Sequence, residues 1–403
     1  MTAFLHSYAD PAKDESAFVH LVGAEGTRLH GKDGRTYLDA MASLWYCQVG
    51  HGRREIIDAV TRQMNEFSNY HTFDPFTHGP AVEVSERIAG VSPWDDPRVF
   101  LACSGSEAVD TALKMMRLVH QRRAGETAEA RQIIVRRERG YHGVNFGGTT
   151  AQGIAANREG WGDMVPHFVE VPGDDLEAMA SLFAEQGDKI AGVITEPLQG
   201  AGGVFPPPPG YLEGLRRMCD DHGALLCFDE VIAGFGRTGE WFASQTYGVT
   251  PDLLTFAKGV TSGYLPLSGV IVGDSISREL EDFGAMFRHG YTYSGHAASC
   301  AAGLANIDII ENEGLVAKAR ELHRWFENGL SALVSDGTIQ SYRGHGGVWA
   351  ADIARDSIPV RDRMLAEQGV VVRGIGEAIA MCPPLIATED EVGEILDAMV
   401  ACL

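Results

Sequence analysis

In the stretch PDLLTFAKGVTSG (251–263), the apolar residues Leu253, Leu254 and Phe256 lead into Lys258, which has no partner of opposite charge beside it in the sequence. A buried ammonium is costly unless it is paired or gives up its proton. Lys258 therefore either turns to solvent or uses its amine for chemistry. Asp229 raises the same question, because it closes LLCFD (225–229), a run whose composition predicts full burial. A carboxylate there needs something positive facing it. Ser104, Gly105 and Ser106 follow a third apolar run and open a helical pattern. Free N–H groups and the dipole at a helix N-terminus bind phosphate, and the serine hydroxyls add donors; simple helix capping would use the same residues. Tyr141, in GYHG (140–143), offers a flat ring for stacking, or a core aromatic. An acid for a protonated ring nitrogen, an amine lowered in pKa that condenses with an aldehyde, and a phosphate cradle together describe a site for pyridoxal 5'-phosphate (PLP).

These residues need elements to carry them. Candidate strands are 98–103, 132–136, 191–195, 224–228, 253–257 and 267–272, with helical stripes at 106–123 and 211–222 between them. The alternation predicts an α/β domain with a mainly parallel sheet. In such sheets ligands bind at the carboxyl ends of strands, where Ser104, Tyr141, His142, Glu196, Asp229 and Lys258 fall. After Ser299 the pattern changes to a long helix (300–333), short strands at 348–353, 370–373 and 379–381, and a last helix opened by the capping box Thr388–Glu391. This reads as a smaller α+β domain. TRLH-GKDG-RTYL near the N-terminus reads as a hairpin belonging to it. The expected division is 49–294 for the large domain, and 1–48 with 295–403 for the small one.

The bulk numbers narrow the function. At 403 residues, two lobes are the default. A net charge of −22 disfavours nucleic acid and anionic membranes as partners. No window has the apolar length of a membrane span, and the N-terminus lacks a signal-peptide pattern. Seven cysteines, an odd number without a CxxC pair, predict reduced thiols and a cytoplasmic setting. No HExxH motif argues for zinc.

The blocks SGSEAVDTALKMMR (104–117), RERGYHGVNFGG (137–148), ITEPLQGAGG (194–203), LLCFDEVIAGFGRTG (225–239) and HGYTYSGHAASCAAGLA (289–305) carry a family likeness. With the Lys258 stretch, they make the chain resemble class III aminotransferases of PLP fold type I over essentially its whole length. The ω-amino acid:pyruvate and amine:pyruvate branch is the most similar. The resemblance implies a large PLP-binding domain with a smaller α+β domain, and a ping-pong transfer of an amino group to pyruvate or a similar keto acid. It implies that Lys258 is the Schiff-base lysine and proton carrier, and that Asp229 is the partner of the ring nitrogen. It places Tyr141 on the ring with His142 beside it, Ser104, Gly105 and Ser106 at the phosphate, and Glu196 and Val231 against the cofactor. Thr292 resembles the threonine that reaches the phosphate of a neighbouring subunit, which implies a homodimer with shared active sites, able to pair into a tetramer. Arg373 stands ten residues before Pro383-Pro384, where this branch has its substrate-carboxylate arginine. Trp45 resembles the tryptophan that walls the substrate pocket, with core packing as its competing reading. GHA (295–297) departs from the usual GHP of the family.

Rival readings are weaker. Gly26–Asp33 nearly spells a P-loop, but Asp33 stands where a metal-binding hydroxyl belongs, and the motif lies in a hairpin. A PLP-fold transcription regulator needs a basic DNA-binding segment, which no stretch supplies. Within the transaminases the alternative is the biotin-pathway diaminopelargonic acid enzyme, which also has an arginine matching Arg373 and a pocket tryptophan.

Overall fold

The computed structural model describes residues 3–125 and 129–403. A seven-stranded sheet forms its centre, in the spatial order Arg98–Ala102, Ser268–Val272, Leu253–Phe256, Leu225–Asp229, Ile190–Thr195, Ile133–Arg137 and Phe168–Val171. Ser268–Val272 runs antiparallel to both neighbours, and the remaining pairs are parallel. Six of the seven strands lie where the apolar runs predict them, within a residue at each end. Phe168–Val171 escapes sequence reading because it is a four-residue edge strand, with only Val171 buried and no long apolar run.

Side chains alternate across the sheet, so each strand feeds two cores. Leu225, Cys227, Ile134 and Ile194 face the helix Gly105–Ala124, meeting Ala108, Val109, Ala112 and Met116. Leu226, Phe228, Val135 and Val193 face the other way, onto Tyr211, Leu212 and Leu215 of the helix Tyr211–His222. Burial on both faces is why these strands read as unbroken apolar runs.

Two four-stranded sheets flank this core. One joins Leu21–Glu25, Arg28–Gly31, Thr36–Asp39 and Val370–Val371; the other joins Ser341–His345, Val348–Asp352, Ala378–Met381 and Arg373–Ile375. The expected single strand 370–373 is therefore two short ones in different sheets, the first parallel to Thr36–Asp39 and the second antiparallel to Ala378–Met381. The expected helix 300–333 is also two, Ala297–Asn312 and Leu315–Ser335, broken at Gly314, whose φ of 62° leaves the helical region. The N-terminal hairpin forms as read, with Leu29 opposite Tyr37. The last helix, Glu389–Cys402, starts from the Thr388/Glu391 capping box.

Candidate active site

A cavity of about 330 Å³ opens where the carboxyl ends of Leu225–Asp229 and Leu253–Phe256 meet the start of the helix Gly105–Ala124. Ser104, Gly105, Ser106, Tyr141, His142, Glu196, Asp229, Val231 and Lys258, nine of the residues named from the sequence, line it.

The phosphate end is built from a helix start. Ser104 caps it: its Oγ accepts from Glu107 N at 3.2 Å, and the Glu107 carboxylate accepts from Ser104 N at 3.2 Å and Cys103 N at 2.8 Å. The N–H groups of Gly105 and Ser106 are left without a protein acceptor among the described residues. Ser106 Oγ accepts from Val144 N at 2.9 Å, so its own proton is free to donate elsewhere. Gly143, at φ 88°, lies so near that a Cβ on it would come 2.8 Å from Ser106 Cα. The Tyr141 loop is thus pressed directly against the helix start.

Asp229 sits at the opposite pole, 4 % exposed. Its carboxylate accepts from His142 Nδ1 at 2.8 Å, Thr255 Oγ1 at 3.1 Å and Val231 N at 3.2 Å. Thr255 stands opposite Asp229 in the strand register, a neighbour that sequence order alone does not reveal. His142 Nε2 is buried without a partner. Glu196 is buried too, accepting from Tyr141 N at 2.8 Å and Gly200 N at 2.9 Å. Burial pushes its carboxyl up to about 7, against the pull of His142. Tyr141 is half-buried; burial raises its phenol, and a hydrogen bond to Tyr8 adds to this.

Lys258 follows the strand end with φ 47°, and its residual exposure is to the cavity. Its ammonium makes no ion pair or side-chain hydrogen bond among the described residues. Burial lowers its pKa, while the carboxylates of Asp229 and Glu196 oppose that shift and the Arg373 charge reinforces it. An amine so placed is a stronger nucleophile near neutrality than a solvated lysine.

Three expected site residues stand outside the cavity wall. Thr292 is exposed on the surface. Trp45 is 2 % exposed and packs with Met41, Leu198 and Ile232, while its neighbour Tyr46, which sequence reasoning missed, lines the cavity. Arg373 is half-buried on the strand Arg373–Ile375, and its charge is felt at both Tyr141 and Lys258.

The class-III aminotransferase family model matches residues 9–403. The chain is a class-III aminotransferase. It is 37% identical to a beta-alanine–pyruvate aminotransferase of Pseudomonas aeruginosa, over 94% of this chain and 90% of the relative. It is 35% identical to a diaminobutyrate–2-oxoglutarate transaminase of Halomonas elongata, over 93% and 88%. An amine transaminase from an uncultivated Pseudomonas species, solved in a PLP-bound form, superposes with a TM-score of 0.93 at 32% identity, covering 100% of this chain and 98% of that one. Class-III aminotransferases are PLP-dependent. The cavity fits that cofactor: two free N–H groups and the Ser106 hydroxyl suit a phosphate, the buried Asp229 carboxylate suits a protonated ring nitrogen, and the unpaired Lys258 amine suits an aldehyde.

Proposed function

We propose that this aminotransferase takes the amino group from an ω-amino acid or simple amine and passes it to pyruvate or a similar keto acid. Relatives named for pyruvate and for beta-alanine or putrescine support the substrate class. The observation that carries the keto-acid reading is the Arg373 guanidinium. It has no carboxylate partner among the described residues, yet it acts electrostatically on Tyr141 and Lys258. An arginine in that position binds a carboxylate through paired charge-assisted hydrogen bonds.

When bound, PLP supplies the aldehyde carbon that receives the amino group and a ring that draws electrons from the breaking C–H bond. Asp229, positioned by His142, would hold a proton at the ring nitrogen. The Gly105 and Ser106 amides anchor the phosphate. Tyr141 would support the ring through aromatic contact. Lys258 Nζ takes the proton from the substrate carbon and returns it on the other side of the transfer, and the two half-reactions alternate in ping-pong fashion.

We assign residues 49–294 to a large domain, and 1–48 with 295–403 to a small one. Pairing of Val370 and Val371 with Leu38 and Asp39 supports joining the two terminal segments. The reading also includes a cytoplasmic homodimer in which Thr292 completes the partner's phosphate site. Its exposure outside the cavity, next to the exposed Tyr293, supports this. The test is a pair of half-reactions followed at the cofactor absorbance: amine bleaches it and pyruvate restores it. Arg373→Ala is expected to weaken pyruvate use by about 10–100-fold and to leave a simple arylalkylamine nearly unaffected. Equal losses on both would remove Arg373 from the pocket.

A further inference from the structure

The segment Ala42–Cys47 has an unusual backbone. Ala42, Ser43 and Trp45 have φ of 45°, 59° and 68°, three non-glycine residues in the left-handed region within four positions. Such a conformation is costly and persists only where its surroundings hold it. Here the holder is Asp39, fully buried, whose carboxylate accepts from Ser43 N at 2.7 Å, Met41 N at 3.1 Å and His51 Nε2 at 2.9 Å. The outcome of the turn is a division of labour between two adjacent aromatics. Trp45 goes into the core, and Tyr46 goes to the cavity. Tyr46 is fixed from behind as well. Gly263, at φ 79°, lies so close that a Cβ on it would come 2.2 Å from Tyr46 Cδ2 and 2.3 Å from Cε2. The ring is therefore pressed onto bare backbone, and any side chain at 263 would displace it. Its hydroxyl has no hydrogen-bond partner among the described residues.

We infer that Tyr46, seated on Gly263 and held by the Asp39 turn, is the aromatic wall that limits the bulk of the amine this site accepts. The phosphate, ring nitrogen and aldehyde of the cofactor would each find a polar partner elsewhere in the cavity, whereas Tyr46 adds only a rigid apolar surface to the wall it shares with Lys258. In a cavity of about 330 Å³ shared by cofactor and substrate, one phenol ring is a large part of the free space. The inference rests on the amine-donor reading above.

The experiment compares isopropylamine with 1-phenylpropylamine on the cofactor-loaded enzyme. It measures kcat/KM for each, and separately the amine Kd by titrating the cofactor absorbance. Tyr46→Ala is expected to raise the bulky-to-small ratio of kcat/KM about tenfold or more and to tighten bulky-amine binding. Tyr46→Phe keeps the wall and is expected to keep the wild-type ratio. Tyr46→Leu, which preserves apolar packing, serves if the alanine variant does not fold, and should shift the ratio in the same direction. A ratio unchanged in the alanine and leucine variants, or a parallel fall for both amines, would overturn the inference while the wild-type turnover leaves the donor reading intact. A loaded wild-type enzyme that turns over neither amine overturns both.

Discussion

Asp229 and Lys258 are both ionisable groups removed from bulk water, but the fold treats them differently. Asp229 has three donors, which fix the direction of its carboxylate. Lys258 is given none, which keeps its amine available. Lys258→Ala is therefore expected to cost about 10²–10⁴-fold or more in turnover, and borohydride should no longer fix the cofactor to that position in the mass spectrum. Glu230, beside Asp229, poses a separate test. It is fully buried and accepts from Ser244 N at 2.8 Å and from Ala243 N. Burial raises its pKa from 4.5 to about 7, only partly offset by those amides. The folded state therefore holds this proton where the unfolded chain has lost it. The stability it brings is complete below pH 4.5 and is lost as pH rises through about 7. Melting temperatures at pH 5 and pH 8 should converge in Glu230→Gln relative to the parent; an unchanged difference would show that Glu230 does not titrate in this range.

At the scale of elements, the start of the helix Gly105–Ala124 does two jobs. Its cap satisfies some of the first amides and leaves those of Gly105 and Ser106 open. The serine-cap and phosphate-cradle readings of SGSE, alternatives in the sequence, are thus compatible in the structure. Ser104 caps, and its two successors are free. Ser104→Ala is expected to cost about 1 kcal/mol of stability and to weaken cofactor retention on dialysis. Stability loss with unaltered retention would separate cap from cradle. Strands buried on both faces were legible as apolar runs. The edge strand Phe168–Val171 and the break at Gly314 were not, because a short half-exposed strand and a single glycine leave little mark on periodicity.

At the scale of the whole molecule, one buried arginine joins three distant segments. Arg237 is fully buried and donates to Pro383 O at 2.6 Å, Gly347 O at 3.3 Å and Gln48 Oε1 at 3.1 Å, with Nε unpartnered. No carboxylate within ion-pair distance faces it among the described residues. It ties the N-terminal segment and the C-terminal sheet to the loop after Asp229. Arg237→Met is expected to cost more than about 3 kcal/mol, since it strands three buried acceptors. Calorimetry would read this as an earlier onset of unfolding, and a melt matching the parent would deny the tie.

The sequence by itself determined the chemical types and their order: an amine, an acid and a helix start at the ends of apolar runs, which is enough for the cofactor because each follows a buried strand. It also carried the family, through blocks spread over the chain. Only the tertiary structure decided which of two adjacent aromatics reaches the cavity, that Thr255 supports Asp229, and that Thr292 lies on the outer surface. Those outcomes depend on backbone torsions, strand register and contacts between residues far apart in the chain, and local composition does not record them.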